Sequence, residues 1–354
     1  AAGRRGSVAA AGAAVWNGLG PAAGAKEDGP AYKPGTPVSF RRVIAESGLE
    51  DWTVQEYEAM RDDEPRTEAY RAAINARLGE TPGAVVVDIG TGALALLAIM
   101  AAKAGAKKVY AIEINPPAAK LAREEVARQK LQDTIEVIEG NSMQVDLPER
   151  ADLVVSELLG SISTQEGVEP IIRDAQKRFL KPGDPSKQMI PALVETRIAP
   201  VKYTEHRIMD FAGKRGIMSR GKSEPGSLQP LRLRSKTSDL VFLAKAQTLE
   251  SFDFANPQPA TTLEKTLSFE VPPQRADAAK EFSGFCMWTR LVVDKDHVVE
   301  VKGQKVTSHW AYVVALMSDL PVPLAAPGPI ELKASIDYGS NPVRYTLEAS
   351  GVTV

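Results

Sequence analysis

Val85–Gly92 reads VVVDIGTG, an apolar β-branched run broken only by Asp88 and closed by Gly90 and Gly92 on either side of Thr91. A strand covered on both faces needs apolar residues at successive positions rather than alternate ones, which marks the parallel strands of an α/β sheet. Upstream, Asp63–Glu80 carries Ala69, Tyr70, Ala73, Ile74 and Leu78 at helical spacing. Downstream, Leu94–Ala104 reads as a helix and Lys108–Glu113 as a strand. A second helix opens with Asn115 as cap and Pro116 in its first turn, and Thr134–Glu139 and Ala151–Glu157 read as strands. This alternation predicts an α/β Rossmann-like doubly wound sheet over residues 39–190, with its ligand at the carboxyl ends of the strands.

Beyond Ile190 the texture changes. Segments such as GFCMWTRLVV, HWAYVVALM and IELKASIDYG are β-rich and separated by turn residues, which predicts an all-β barrel domain over 191–354. Within it, the basic stretch 207–238, rich in Gly, Ser and Pro, reads as a protruding arm. Residues 1–38 form an Ala/Gly-rich tail. Its Arg4–Arg5 start and the small residues Ala23 and Ala25 carry the punctuation of a twin-arginine export signal, with a plain flexible tail as the alternative. It is too polar to predict a membrane span.

The chain has 354 residues, with 43 Lys and Arg against 45 Asp and Glu, a formal net charge of −2. No whole-chain field favours nucleic acid or anionic lipid, so partners must be recognised locally. The single cysteine, Cys286, excludes an internal disulfide and a Cys-rich zinc module, and the scattered His206, His297 and His309 argue against a metal site.

The chemistry-bearing residues follow the strand ends. Gly90 and Gly92 carry no Cβ, so a ligand can approach the backbone there. Leu94 and its neighbours fill the place of a third dinucleotide-fingerprint glycine, and no P-loop lysine follows, which disfavours a pyrophosphate. Glu113, at the next strand tip, can accept both hydroxyls of a ribose. These features point to a nucleoside-bearing ligand. Glu157 and Glu166 then flank the loop in SELLGSISTQEG. Paired carboxylates match the planar fork of a guanidinium, and the alternative is that Glu166 only complements the positive end of the helix EGVEPIIRDAQKRFL.

DEPRTEAYRAAI, VVVDIGTG, AGAKKVYAIE, SELLGSISTQE, GFCMW and SHW resemble, in order and spacing, the protein arginine methyltransferases from about Thr53 onward. The resemblance implies class I methyltransferases that use S-adenosyl-L-methionine to methylate arginine side chains of protein substrates. It implies that Glu157 and Glu166 hold the substrate guanidinium and act with His309 in catalysis, with Ser308, His309 and Trp310 walling the arginine pocket. Arg66 would pair with the methionine carboxylate of the cofactor, and Asp88, Gly90 and Gly92 would line its turn. Glu113 would bind the ribose, Ser142 and Met143 would flank the adenine, and Tyr57 and Met60 would cover the cofactor. Homodimerisation or membership of a larger complex follows from the same likeness, as does a nuclear or cytoplasmic location. The N-terminal arginines would suit an organelle such as a plastid instead.

The chain also departs from the pattern. Leu94 replaces a glycine, and the paired lid tyrosines have counterparts near Ser47 and Asp51, which leaves Trp52 and Tyr57 as the local aromatics. A methyltransferase-fold subunit without turnover, acting as a scaffold, is therefore a rival reading. SELLGS resembles the branch that makes symmetric dimethylarginine and His309 the branch that makes the asymmetric product, so the product stays open.

Overall fold

The computed structural model describes residues 37–41, 53–205, 230–233, 238–258, 261–272, 281–303, 308–318, 321–324, 328–340 and 342–352. The tail up to residue 36, Ser47, Asp51, Trp52, and the arm except Pro230–Leu233 and Ser238 lie outside them.

The chain enters with β1 (Val38–Arg41), α1 (Val54–Arg61) and α2 (Glu64–Glu80). Strand and helix then alternate: β2 (Val85–Ile89), α3 (Leu96–Lys103), β3 (Lys108–Glu113), α4 (Pro116–Arg128), β4 (Ile135–Glu139), β5 (Leu153–Ser156), α5 (Val168–Arg178), α6 (Pro185–Gln188) and β6 (Met189–Ile190). These strands form a parallel five-stranded sheet in the order β4-β3-β2-β5-β6. Every residue of β2 is buried and β2 lies between β3 and β5, which is why its apolar run does not alternate. The chain reverses direction across the sheet between β2 and β5, and this switch point opens a crevice at their carboxyl ends.

The remainder is antiparallel. It comprises β7 (Leu193–Tyr203), β8 (Leu231–Leu233), β9 (Leu240–Phe242), β10 (Gln247–Asp253), β11 (Thr262–Glu270), β12 (Glu281–Phe282), β13 (Gly284–Val292), β14 (Val298–Glu300), β15 (Tyr312–Leu316), β16 (Val322–Pro323), β17 (Pro329–Asp337) and β18 (Arg344–Ser350). A seven-stranded sheet built on β10-β7-β13-β15-β8 and a four-stranded sheet β1-β18-β17-β11 share one apolar core, the barrel interior. Alternation along β13 divides its side chains. Phe285 and Met287 enter the barrel core, whereas Cys286 and Trp288 join the cluster that includes the α/β residues Val154 and Leu97. The seven-stranded sheet is thus buried on both faces.

Two observations revise the sequence reading. Val38–Arg41 falls where the tail and the α/β domain were expected to meet, but it pairs with β18 and completes the four-stranded sheet of the barrel. A short strand gives no sequence signal of a partner more than 300 positions away, as the Ser39–Thr346 hydroxyl contact at 2.8 Å across 307 positions shows. Within the expected arm, Leu231–Leu233 is an edge strand of the barrel, paired with β15.

At Gly284 the backbones of β13 and β15 approach so closely that an added Cβ would lie 2.0 Å from the carbonyl oxygen of Ala315. Gly284→Ala is expected to force these strands apart and destabilise the protein by at least about 1–3 kcal/mol, read as a lowered urea midpoint.

Candidate active site

The carboxyl ends of β2, β3 and β5 open onto a cavity of about 1540 Å³. After β2, Gly90 and Gly92 take φ of 74° and 65°, a left-handed conformation that glycine adopts without a Cβ penalty. The turn is pinned at its base because the amides of Gly90 and Thr91 both donate to the carbonyl of Ile112 in β3, at 2.9 and 3.1 Å. The Gly92 amide donates to Glu113 Oε2 at 2.8 Å and the Asn115 amide to Oε1 at 2.8 Å. Burial raises the pKa of Glu113, while these amides act the other way. The Ile114 amide acts on the same carboxylate, which with about four acceptor sites still has capacity for a ligand hydroxyl.

Asp88 is turned away from the cavity. Its Oδ2 accepts from Thr91 Oγ1 at 2.6 Å and from the Ala98 amide at 3.0 Å, bracing the turn against the start of α3. Burial pushes its carboxyl up to about 7, against the pull of those two donors, and Oδ1 has no hydrogen-bond partner among the described residues.

The lid begins at α1, where the Glu56 carboxylate accepts from the amide and hydroxyl of Thr53 at 2.6 and 3.0 Å. That closes the first turn of a helix with no buried residue of its own. The Tyr57 ring lies against Gly92, where an added Cβ would come within 2.8 Å of it. Below the lid, Arg66 Nη2 donates to Glu157 Oε2 at 2.5 Å and Nη1 to the Met60 carbonyl at 3.1 Å, while Nε has no hydrogen-bond partner among the described residues. The two side chains of this ion pair are only 5% and 7% exposed. Burial disfavours the charge of Arg66, but Glu157, together with Tyr70 and Asp63, offsets this and raises its pKa. Glu157 also accepts from the Leu159 amide at 3.2 Å, so it is oriented from both sides.

Asp63, just before α2, collects three donors on one oxygen: Ser308 Oγ at 2.7 Å, the His309 amide at 2.9 Å and His309 Nδ1 at 2.8 Å. Burial works to raise the Asp63 pKa, and the hydrogen bonds from His309 and Ser308 prevail and lower it. Burial lowers the pKa of His309, so the ring is neutral with its Nδ1 proton committed to Asp63.

The loop between Glu157 and α5 is buried from Leu159 to Thr164 without regular structure of its own. Several of its polar groups are satisfied by the barrel. Trp310 Nε1 donates to the Leu159 carbonyl at 3.1 Å, Thr289 Oγ1 to that of Gly160 at 2.8 Å, and the Ser163 amide donates to Thr196 Oγ1 at 3.1 Å. Ser161 Oγ accepts from the Ala311 amide at 3.0 Å.

Of the residues singled out from sequence, Tyr57, Met60, Arg66, Gly90, Gly92 and Glu113 line the cavity on the α/β side and under the lid. Met143, Glu157, Glu166, His309 and Trp310 line it elsewhere. Asp88, Ser142 and Ser308 do not line it. Asp88 braces the turn from below, Ser142 is buried with its carbonyl taken by Arg178, and Ser308 spends its hydroxyl on Asp63. Asp63 and Ile114 were not anticipated. The signal for Ile114 was an apolar residue directly after the acidic strand tip, and it is 47% exposed on the cavity wall. Among the described residues no group of His, Cys, Asp or Glu is placed to hold a metal, and no helix is long and apolar enough to cross a membrane.

The family model for "Ribosomal protein L11 methyltransferase (PrmA)" matches residues 72–174, the α/β domain from within α2 to within α5. A "Probable protein arginine N-methyltransferase 6.1" of Oryza sativa subsp. indica is 35% identical over 149 residues, 42% of this chain and 38% of that protein. Over this stretch the chain is similar to proteins named as arginine N-methyltransferases. "Protein arginine N-methyltransferase PRMT10" of Arabidopsis thaliana is likewise 35% identical, over 156 residues, 44% of this chain. The chain spans well under half the length of these curated relatives, 38% and 39%. The crystal structure of Arabidopsis thaliana Protein Arginine Methyltransferase 10 superposes with a TM-score of 0.63 at 20% identity, covering 85% of this chain and 95% of that one. The Trypanosoma brucei PRMT1 enzyme-prozyme heterotetrameric complex with AdoHcy gives 0.61 at 21% identity, covering 79% and 87%. Both likenesses extend over more of the chain than the sequence matches do, and so take in the barrel as well as the α/β domain.

Arg66→Met strands the Glu157 carboxylate in a buried site and is expected to destabilise the protein by about 3–5 kcal/mol in urea denaturation, whereas exposed pairs such as Arg71–Glu68 contribute under about 1 kcal/mol. Asp88 has a folded pKa of about 7, well above the ordinary 3.8, so the native state holds a proton that the unfolded chain has released. Its contribution is therefore most favourable below pH 4 and is lost as pH rises towards 7. Compared with wild type across pH 5–8, Asp88→Asn is expected to show a flatter decline in stability with rising pH, and an unchanged slope would rule out the protonated carboxyl.

Proposed function

We propose that this chain transfers a methyl group from S-adenosyl-L-methionine to arginine side chains of protein substrates. The observation that carries the reading is that Glu157 and Glu166 line the same cavity as the glycine turn and Glu113.

The cavity residues fit the cofactor. Glu113 presents acceptors for ribose hydroxyls at the strand tip. Ile114 and Met143, 47% and 44% exposed on the cavity wall, offer apolar surface to an adenine. Arg66, with Nε buried and unpartnered among the described residues, has a donor to spare for the amino-acid carboxylate. Tyr57 and Met60 line the cavity on the lid side, with the Tyr57 ring against Gly92. The bound cofactor would supply a methyl group already activated as a sulfonium.

The chain's own residues then need to hold one nitrogen of the substrate in line, a positioning effect worth several kcal/mol. Glu157 has its orientation set by Arg66 and the Leu159 amide. With Glu166 it would hold the guanidinium and draw its positive charge to the nitrogens they face, leaving electron density on the attacking one. Removing a proton before attack from a group with a pKa above about 12 would demand a strong base, so the proton leaves only as the methyl arrives. The proton released on transfer has an acceptor in neutral His309, since Asp63 fixes the Nδ1 tautomer and leaves Nε2 free of a proton.

Leu94 motivated the reading of a scaffold without turnover. It lies on the cavity wall beside the glycine turn, and the curated relatives bear the name of arginine N-methyltransferases, so turnover is the better supported reading. The Trypanosoma relative assembles as a heterotetramer, which supports an oligomeric form here, whether a homodimer or a larger complex. A nuclear or cytoplasmic location, with an organelle as the alternative, is proposed from the resemblance alone.

With labelled S-adenosylmethionine and an arginine-rich peptide, wild type is expected to label arginine. Glu166→Gln is expected to lower kcat about 100-fold, roughly 3 kcal/mol of barrier, with the cofactor Kd within about threefold by calorimetry. Labelling of lysine alone, or no transfer despite cofactor binding, would overturn the proposal.

A further inference from the structure

Glu250, in β10, is 1% exposed and touches neither lid nor cavity, yet its carboxylate is fully occupied. Oε1 accepts from Thr196 Oγ1 at 2.6 Å and Tyr345 Oη at 3.1 Å, and Oε2 from Thr164 Oγ1 at 2.6 Å and Tyr338 Oη at 2.7 Å. A carboxylate has about four acceptor sites, so no capacity is left for another donor. Its partners come from different parts of the fold. Thr196 lies in β7 of the seven-stranded sheet and Tyr345 in β18 of the four-stranded sheet, Tyr338 follows β17, and Thr164 belongs to the loop that carries Glu166. Burial and the neighbouring carboxylate push both phenols far above their ordinary pKa, so they remain neutral donors.

We propose that Glu250 is a positioning residue for Glu166: it fixes the loop through Thr164 and ties that loop to the Tyr338 wall of the same cavity. The proposal rests on the methyl-transfer reading for its catalytic consequence. The physical case is that a buried carboxylate is costly to desolvate and a well-packed apolar side chain of similar size would hold the barrel together at least as well. What an apolar residue cannot do is accept from four hydroxyls at fixed directions. Thr164 lies two positions before Glu166, and both face the cavity, so a shift of the Thr164 hydroxyl is transmitted directly to the glutamate. Misplacement of a reacting group by about 1 Å can lower a rate by about two orders of magnitude. The glycine turn and Glu113 lie across the cavity on strands that Glu250 does not touch, so cofactor binding is insulated from it.

The test compares Glu250→Gln and Glu250→Leu with Phe269→Leu, which opens space in the same barrel core at a ring that packs against Phe285 and makes no hydrogen bond to Glu250 or Thr164. Glu250→Gln halves the acceptor capacity at constant size, and kcat on an arginine-rich peptide is expected to fall at least about tenfold with the S-adenosylmethionine Kd within about twofold. Phe269→Leu is expected to lower the melting temperature while kcat at about 25 °C stays within about twofold. A wild-type kcat in Glu250→Gln, or an equal loss in Phe269→Leu at matched melting temperature, would overturn the proposal. Should wild type prove inactive on arginine, the functional reading fails and hydrogen exchange decides this one. Amides of residues 159–166 should exchange at least about tenfold faster in Glu250→Leu and unchanged in Phe269→Leu, and equal exchange in both would overturn it.

Discussion

The structure turns on the stretch from Leu159 to Thr164, which is buried and yet has neither helix nor strand to satisfy its own amides and carbonyls. Irregular backbone can be withdrawn from water only where other groups complete its hydrogen bonds. Here the barrel supplies them, from Trp310, Thr289 and Thr196, while Thr164 completes the sphere of Glu250 in return. The two domains are therefore not a cofactor module with an appendage. Strand β5 runs out at Ser156, and the loop beyond Glu157 takes its shape from the β domain.

The buried acids show how identical chemistry is divided by its neighbours. Asp88 meets a hydroxyl and one amide and is driven towards its protonated form. Asp63 meets an imidazole, an amide and a hydroxyl and is stabilised as an anion. Glu157 meets a guanidinium, and Glu250 meets only hydroxyls. Side chains alike in formula thus serve as brace, tautomer lock, charge partner and loop anchor.

How far the sequence foretold this depends on the range of the interaction. The run in β2, the glycine turn and Glu113 were legible because each rests on residues within a few positions, and periodicity reports such neighbourhoods well. Glu157 and Glu166 were legible as a pair at the edge of one crevice. The placements of Asp88, Ser142 and Ser308 were not, because proximity to a strand end does not say to which side a short polar side chain turns. The loop anchors were invisible for another reason. Serine and threonine carry little positional information, and their partners lie 86 positions away for Thr164 with Glu250 and 126 for Ser163 with Thr289.

The pairing of β1 with β18 bears on how the molecule comes to exist. A ribosome adding about 5–20 residues per second needs roughly 15–60 s to travel from the first strand to the last, and throughout that interval β1 has apolar Val38 and Phe40 with no sheet to join. Contacts so distant along the chain are also the slowest to form once synthesis ends. The nascent polypeptide thus carries an unsatisfied edge at β1 until β18 has been made.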